Sequence, residues 1–187
     1  MSLSRILYLI LIFICSWSVY YLYDKENART TQVVPNLELP MFTGKNLDNI
    51  TFNSDGIRSY KVISTHLEHY ATSGDTIFEN PILSIYREGE VVEWQVTSKR
   101  AVMTEEQVLT LYDDVVAKNL LPNASFDTMT TDRLVIHLVS RDFNSDDPVH
   151  LVGPQFENEG QAMIGNFDEN NATLFNNVQG RYETLTP

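Results

Sequence analysis

The sequence has 187 residues, with 25 acidic and 13 basic side chains and a formal net charge of −12. This balance argues against binding to nucleic acid or to anionic lipid headgroups, because both need a basic surface. Cys15 is the one cysteine of the chain, so an intrachain disulfide is excluded and stability must come from core burial and strand pairing.

The first predicted element is an apolar run of 18 uncharged residues, 6–23, which follows Arg5. As a helix it would be about 27 Å long, close to the roughly 30 Å hydrocarbon core of a bilayer. A cleaved signal peptide is the alternative, but its apolar region is shorter and ends in a small-x-small site, whereas this run ends in bulky residues. Residues 1–24 are therefore predicted to be a membrane anchor. Arg5 favours an inside N-terminus, which leaves the rest of the chain outside.

The segment after the anchor, residues 25–45, contains Pro35 and Pro40 and no sustained period, which indicates a tether. Residues 46–187 alternate short apolar runs with turn-forming clusters and show no helical period with caps. This spacing predicts one all-β domain, either a sandwich or an open barrel. Its main predicted runs are 60–65, 76–86, 91–103, 108–117, 129–139, 149–152, 161–167 and 172–182.

A faint internal repeat runs through these strands. The sequence LYDDV at 111–115 resembles LFNNV at 174–178, 63 residues later, and TDRLV at 131–135 resembles SKRAV at 98–102, 33 residues earlier. A period near 30 predicts strand pairs stacked in rungs, with chance similarity among β-rich segments as the alternative. The end strands of such a stack could pair with another chain.

Catalytic and metal-binding patterns are weak in this sequence. His66 and His69 are three residues apart, which places them on opposite faces of a strand, and His137 and His150 stand alone. The chain has no G-x-S-x-G motif and no glycine-rich phosphate loop. We therefore expect neither an enzyme nor a metal or cofactor site, with a membrane-tethered enzyme as the alternative.

Three N-x-S/T triplets begin at Asn49, Asn123 and Asn171. They would suit a glycosylated protein of a eukaryotic secretory pathway. An Asn- and Thr-rich chain also makes such triplets by chance, and the missing disulfides argue against that compartment.

The strand-like runs carry many aromatic and aliphatic residues on alternating positions, which gives each run one apolar face. A packed sandwich core explains this stripe, and so does an open trough between two sheets that holds acyl chains. Periodicity does not separate the two, because both need one apolar face per strand.

The order and spacing of the motifs, together with the N-terminal anchor and the total length, resemble the LptC family. One departure is Asp113, where the strand motif of the family often carries glycine. The motifs that carry the resemblance are Gly56-x3-Tyr60, Phe78-x2-Pro81, Trp94-x-Val96, Leu109-x-Leu111-x3-Val115, Thr130-Thr131-Asp132, Pro148-Val149-x3-Gly153, Gly160-x2-Met163-x-Gly165-Asn166 and Val178-x3-Tyr182.

The resemblance implies a twisted, open-sided β-jellyroll in the periplasm of a Gram-negative cell, held at the inner membrane by a single-pass helix. It implies a role in lipopolysaccharide transport, in which the chain accepts lipopolysaccharide from the LptBFG transporter at its N-terminal strand edge. The C-terminal edge would pass it to LptA, and ATP hydrolysis would occur elsewhere. The alternative is a tethered β-sandwich scaffold with a closed core and no lipid binding.

An acidic domain repels the phosphorylated sugars of lipopolysaccharide, so binding is expected to rest on the acyl chains. Gly153 and Gly165 are predicted to permit bends or bulges at strand ends, and a bulky replacement of Gly153, such as Arg, to disrupt assembly. The predicted lipid-binding residues are the inward aromatics and aliphatics Tyr60, Phe78, Leu111, Ile136, Met163, Ala172, Leu174 and Tyr182.

Overall fold

Antiparallel strands form the regular structure of this computed structural model, which describes residues 39–122, 124 and 126–182. The predicted anchor, most of the predicted tether and Asn123 lie outside the described residues. Within those residues, the chain has no helix with the length and apolar character that crossing a membrane requires. The all-β prediction is confirmed.

The strands are β1 (Phe42–Phe52), β2 (Arg58–His69), β3 (Thr76–Glu79), β4 (Ile82–Arg87), β5 (Val91–Thr97), β6 (Arg100–Met103), β7 (Val108–Asn119), β8 (Thr128–His137), β9 (Asp142–Ser145), β10 (Val149–Val152), β11 (Phe156–Gly160), β12 (Ala162–Asn166), β13 (Asn171–Phe175) and β14 (Gln179–Tyr182).

The strands form one meandering sheet that bends into two layers. The first layer contains β4, β5, β10, β11 and β14, and the second contains β3, β6, β9, β12 and β13. The longer strands β1, β2, β7 and β8 run through both layers. The chain therefore passes from one layer to the other at a row of corners, and the hairpin loops of both layers lie on the opposite side, which we call the mouth.

The two strongest copies of the repeat lie at equivalent corners. Asp113 and Asp114 in one copy, and Asn176 and Asn177 in the other, have φ between 53° and 62°. Asp and Asn tolerate this left-handed backbone better than most residues, which is why two in succession can turn a strand. In each copy the chain changes partner at this turn: β7 passes from β6 to β5, and the chain from β13 to β14 passes from β12 to β11.

The weaker pair of repeat copies also lies at corners. Ser98 Oγ donates to the carbonyl of Arg100 at 2.9 Å, and Thr131 Oγ1 donates to the carbonyl of Arg133 at 3.4 Å. A hydroxyl that bonds its own chain two residues on mimics a turn and satisfies a carbonyl that the bend leaves unpaired. The spacing of the repeat therefore corresponds to two passes of the chain across the bend.

Several element boundaries differ from the sequence prediction, and the strands β9 and β11 were not among the predicted runs. β1 begins at Phe42, inside the segment predicted as a tether. The prediction missed this start because β1 is an edge strand with mostly exposed side chains and no apolar alternation. The predicted runs 76–86, 91–103 and 172–182 are each two strands. The last is interrupted by the corner at Asn176 and Asn177.

The core lies between the two layers. β8 illustrates its origin: Met129 and Thr131 point inward before the corner, and Leu134 and Ile136 point inward after it. The period of two is reset at Asp132, so the strand keeps one face inward through the bend. Buried residues from both layers then form a single hydrophobic cluster.

Candidate binding site between the two layers

The eight residues predicted to bind lipid all lie on the inner face of the bent sheet. Cross-strand partners share a face in an antiparallel ladder, and the register pairs these residues with one another or with core residues. Leu111, for example, lies opposite both Ala101 and Leu134, and Met163 lies opposite Leu174. The other pairs are Tyr60 with Ile85, Phe78 with Ala101, Ile136 with Leu109 and Phe143, Ala172 with Gly165, and Tyr182 with Phe156.

Burial divides these eight residues into two groups. Tyr60, Phe78, Leu111, Ile136 and Met163 are buried in the core. Ala172 and Leu174, on β13, are half-buried against it, and Tyr182, on β14, is 73% exposed. The middle of the inner face is thus a packed core in this structure, whereas its C-terminal end is accessible to solvent.

The C-terminal end is open because no strand of the described residues follows β14 to cover it. Every residue of β14 is exposed, although Tyr182 lies on the inner face and its ring centroid is 6.4 Å from that of Phe156. Val178, at the last corner, is also exposed. Apolar side chains on an uncovered inner face provide a surface to which an acyl chain or another apolar group can bind.

Four aromatic rings fill the middle of the space between the two layers, on the side of the mouth. The Trp94 ring centroid is 5.1 Å from that of Phe126 and 5.2 Å from that of Phe167, and Phe167 is 4.4 Å from Phe143. Trp94 belongs to β5 in the first layer, while Phe143 and Phe167 belong to the second. Tilted rings at these distances attract one another beyond the burial of their area, so this cluster joins the two layers.

A polar network lies above this cluster and also joins the layers. Asn170, in the turn between β12 and β13, donates from Nδ2 to Glu93 Oε1 at 2.7 Å and accepts at Oδ1 from Asn119 Nδ2 at 2.9 Å. Glu93 is only 2% exposed and also binds the guanidinium of Arg87. The hydrogen bonds that Arg87 donates to Glu93 raise the pKa of Arg87, so the guanidinium stays charged.

A β-bulge places Glu93 in that network. In the pairing of β4 with β5, Ile85 lies opposite Trp94 and Tyr86 lies opposite Val92, so Glu93 has no partner of its own. An extra residue of this kind bends its strand and re-aims a side chain. Glu93 and Trp94 are consequently both buried although they are neighbours in one strand.

A polar cleft of about 590 Å³ opens at the mouth beside this network. Its lining includes Arg87 and Glu93 from the first layer and Arg141 and Asp168 from the second. Arg141 and Asp168 form a salt bridge. The charged groups therefore lie at the rim, while the face beneath them is apolar.

The two glycines predicted to permit bends lie close to aromatic rings. A Cβ at Gly165 would come within 2.4 Å of both the Asn171 carbonyl oxygen and Cζ of Phe143, so the absence of a side chain lets a strand and a core ring approach. A Cβ at Gly153 would meet the ring of Phe156 at 2.3 Å. Neither glycine has a left-handed backbone, so both matter for space rather than for conformation.

Two of the histidines, His69 and His150, have ordinary polar partners. His69 Nδ1 is 3.0 Å from Thr76 Oγ1, and His150 Nε2 is 2.7 Å from Glu157 Oε1. Among the described residues, no group of three or more His, Cys, Asp or Glu side chains is arranged to hold a metal ion.

Sequence reasoning missed the residues of the polar network. Three distant parts of the chain supply Glu93, Asn119 and Asn170. Asn119 looks like an ordinary strand-end residue and Asn170 like an ordinary turn residue, while Glu93 lies within a strand. The only available signal was a carboxylate within the apolar strand 91–97, which period-two analysis assigns to the solvent face.

Comparison with known proteins gives consistent results. The family model described as "Lipopolysaccharide-assembly, LptC-related" matches residues 8–183. The chain is 33% identical over 158 residues to the "Lipopolysaccharide export system protein LptC" of Escherichia coli (strain K12), covering 84% of this chain and 83% of that protein. It is 26% identical over 187 residues to the protein of that name from Haemophilus influenzae (strain ATCC 51907 / DSM 11121 / KW20 / Rd), covering 91% and 90%.

A solved structure supports the fold. The crystal structure of LptH, the LptA homologous periplasmic component of the lipopolysaccharide transport device of Pseudomonas aeruginosa, superposes with a TM-score of 0.53. The match covers 67% of this chain and 95% of that chain at 7% sequence identity, so it shows a common β-jellyroll-like fold and nothing more.

Proposed function

The chain belongs to the LptC-related family of lipopolysaccharide-assembly proteins and takes part in lipopolysaccharide transport, and we propose that it does so by holding acyl chains against its inner face. In this proposal the chain accepts lipopolysaccharide from the LptBFG transporter and passes it to LptA. It works as a conduit, with no catalytic step of its own.

The observation that carries this proposal is the single apolar inner face with an uncovered end. The eight predicted residues share that face, and Ala172, Leu174 and Tyr182 lie where the face is accessible. Burial of each methylene contributes about 0.8 kcal/mol, so a few acyl carbons outweigh repulsion between screened surface charges. The acidic residues need not contact the ligand, because they lie mainly on the outside.

The free edges of the sheet support the partner assignment. At the C-terminal end, β13 pairs with β12 and β14 with β11, which leaves the outer edges of both strands without a partner among the described residues. At the other end, β1 pairs only with β2 within the same residues. Such edges accept a strand from another chain, so LptA is proposed at β13 and β14 and the transporter at β1.

The proposal also includes the location. Residues 1–24 would cross the inner membrane once with the N-terminus in the cytoplasm, residues 25–45 would link the anchor to the domain, and residues 46–187 would lie in the periplasm. The length and the apolar character of residues 6–23 support this arrangement.

Photocrosslinking with the purified full-length chain and added lipopolysaccharide tests the proposal. A benzophenone amino acid at Leu174 should form a lipopolysaccharide adduct, whereas the same group at Phe175 should form at least tenfold less. Phe175 is a matched control, because it is the next residue of β13, more exposed and on the outer face. Equal adducts, or none at Leu174, would favour a scaffold with a closed core.

A further inference from the structure

The space between the two layers, lined by the inner face, is called the groove here. Contacts that cross from one layer to the other close the middle of its mouth. The turn of residues 167–170 belongs to the second layer, and Asn170 reaches both Glu93 and Asn119 in the first. Phe167, from the same turn, packs on Trp94. We call these four residues, Glu93, Asn119, Phe167 and Asn170, the latch.

The latch lies between solvent and the middle of the inner face. Leu111 and Ile136 beneath it are fully buried, and protein cores are packed too densely to accept an acyl chain without movement. The corners on the opposite side are covalently continuous, because β7 and β8 pass through them. The layers can therefore separate only at the mouth, and separation there breaks the bonds of Asn170.

The closed arrangement contains one unfavourable feature. The ring nitrogen Nε1 of Trp94 is buried and has no hydrogen-bond partner in the part of the chain that the structure describes. A buried donor without an acceptor destabilises the state that contains it. Opening at the mouth would expose this donor to water, which could accept its hydrogen bond. The latch therefore holds closed a state in which a buried N–H lacks an acceptor.

We propose that the latch controls access of acyl chains to the middle of the groove, and that its release separates a closed form from a lipid-accepting form. This inference rests on the proposed function, because it assumes that acyl chains bind the inner face. The open C-terminal end lies outside the control of the latch, so Leu174 should bind lipid in either form.

A crosslink across the latch tests this inference in the full-length chain. Asn119→Cys and Asn170→Cys are combined with Cys15→Ser, which removes the native cysteine, and the two thiols are joined by a short bis-maleimide. The matched control is the same protein with both thiols capped by N-ethylmaleimide, which modifies the residues without joining the layers. A benzophenone amino acid replaces Phe143, whose ring contacts Phe167, or Leu174 at the open end.

With lipopolysaccharide added, the crosslink should lower the adduct at Phe143 at least tenfold relative to the capped control and leave the adduct at Leu174 unchanged. Equal adducts at Phe143 in both samples would overturn the latch while leaving the proposed function intact. Loss at both positions would also overturn it, since the crosslink would then have damaged the whole groove. If the capped control forms no adduct at either position, the proposed function itself fails.

A second variant avoids the crosslink. Asn170→Ala removes both interlayer hydrogen bonds and should raise the adduct at Phe143 at least threefold. Glu169→Ala is the control, because Glu169 is the preceding residue of the same turn and its carboxylate accepts from Asn171 in the same layer. An unchanged adduct in Asn170→Ala would count against the latch.

Discussion

The repeat copies at residues 111–115 and 174–178 have the same backbone corner but differ in whether other strands cover their apolar side chains. Leu111 and Val115, in the middle of the sheet, are 0% and 1% exposed. Leu174 and Val178, at the C-terminal end, are half-buried and 51% exposed. The local sequence therefore sets the shape of the strand, while the next pass of the chain decides whether its apolar face becomes core.

This difference separates two roles on one surface. In the middle, the inner face is packed and stabilises the fold, and access to it needs a separation of the layers. At the end, no strand of the described residues covers the same kind of face, and we propose that it binds lipid or another jellyroll. The predictions below test this separation, beginning with the largest expected effect.

Leu111→Ala should lower the free energy of unfolding by about 2–5 kcal/mol, because it leaves a cavity in a fully packed core. Leu174→Ala should cost less than about 1 kcal/mol, since the half-buried site can relax. Urea unfolding of the two variants, followed by circular dichroism of the strands, compares the same substitution in the two copies. Equal losses would contradict the division into a packed middle and an open end.

Gly165→Val should destabilise the protein by about 1–3 kcal/mol, because its Cβ would collide with a backbone carbonyl and a core ring that cannot both move. Thermal unfolding measures the effect, and Ile164→Val, on the exposed face of the same strand, is the control. A wild-type melting temperature for Gly165→Val would mean that the second layer is looser than the structure indicates.

Gly153→Arg should leave the melting temperature nearly unchanged and reduce the lipopolysaccharide adduct at Leu174 and the co-purification of LptA. Its Cβ would displace the ring of Phe156, which lies at the open end opposite Tyr182 and not in the packed middle. Gln155→Arg adds the same charge in the same loop and is the control. A wild-type export rate in cells that carry Gly153→Arg would remove this prediction.

Asp113→Gly should stabilise the chain by about 0.5 kcal/mol, because glycine adopts the left-handed backbone of this corner without the steric cost of a Cβ. This is the position at which the sequence departs from the glycine common in the family. Urea midpoints of Asp113→Gly and Asp113→Ala measure the effect. A gain with alanine as large as that with glycine would exclude backbone strain as the cause.

The smallest effect concerns two strand ends of the second layer beside the latch, the start of β9 and the end of β12. Asn166 Nδ2 donates to Asp142 Oδ1 at 2.8 Å, and this bond lowers the pKa of Asp142. A lowered folded-state pKa stabilises the protein above the ordinary pKa of Asp, and the stabilisation is lost as the pH falls through the folded-state value. Asp142→Asn should therefore lower the melting temperature slightly at pH 7 and not at pH 2. An equal loss at both pH values would contradict an ionic cause.

The inner face could be predicted from sequence because a strand alternates with a period of two, and the eight chosen residues lie on one face. The repeat predicted strand pairs stacked in rungs, but it did not show that its copies lie at corners where the chain changes layers. The start of β1 could not be predicted, because an exposed edge strand needs no apolar alternation. The division of the runs 76–86, 91–103 and 172–182 could not be seen either. In the last run, Asn176 and Asn177 are typical turn residues, but the sequence does not show that the chain changes its partner strand there.

The latch was beyond sequence reasoning for a different reason. A bulge at Glu93 shifts the period within one strand, and the side chain of Asn170 that donates to Glu93 lies 77 residues further along the chain. Period-two analysis assumes a regular ladder, so it assigns Glu93 to solvent. Only the folded register shows that this carboxylate is buried and joins the layers.

The most direct test of the conduit is photocrosslinking in living cells at Phe78, an inner-face residue of β3, with the adjacent outer-face residue Ile77 as the control. We predict a lipopolysaccharide adduct at Phe78 that requires ATP, and at least tenfold less adduct at Ile77. An adduct at Phe78 would mean that acyl chains reach the packed middle during transport. No adduct at Phe78, or equal adducts at both positions, would contradict the account and leave the middle of the inner face as a closed structural core.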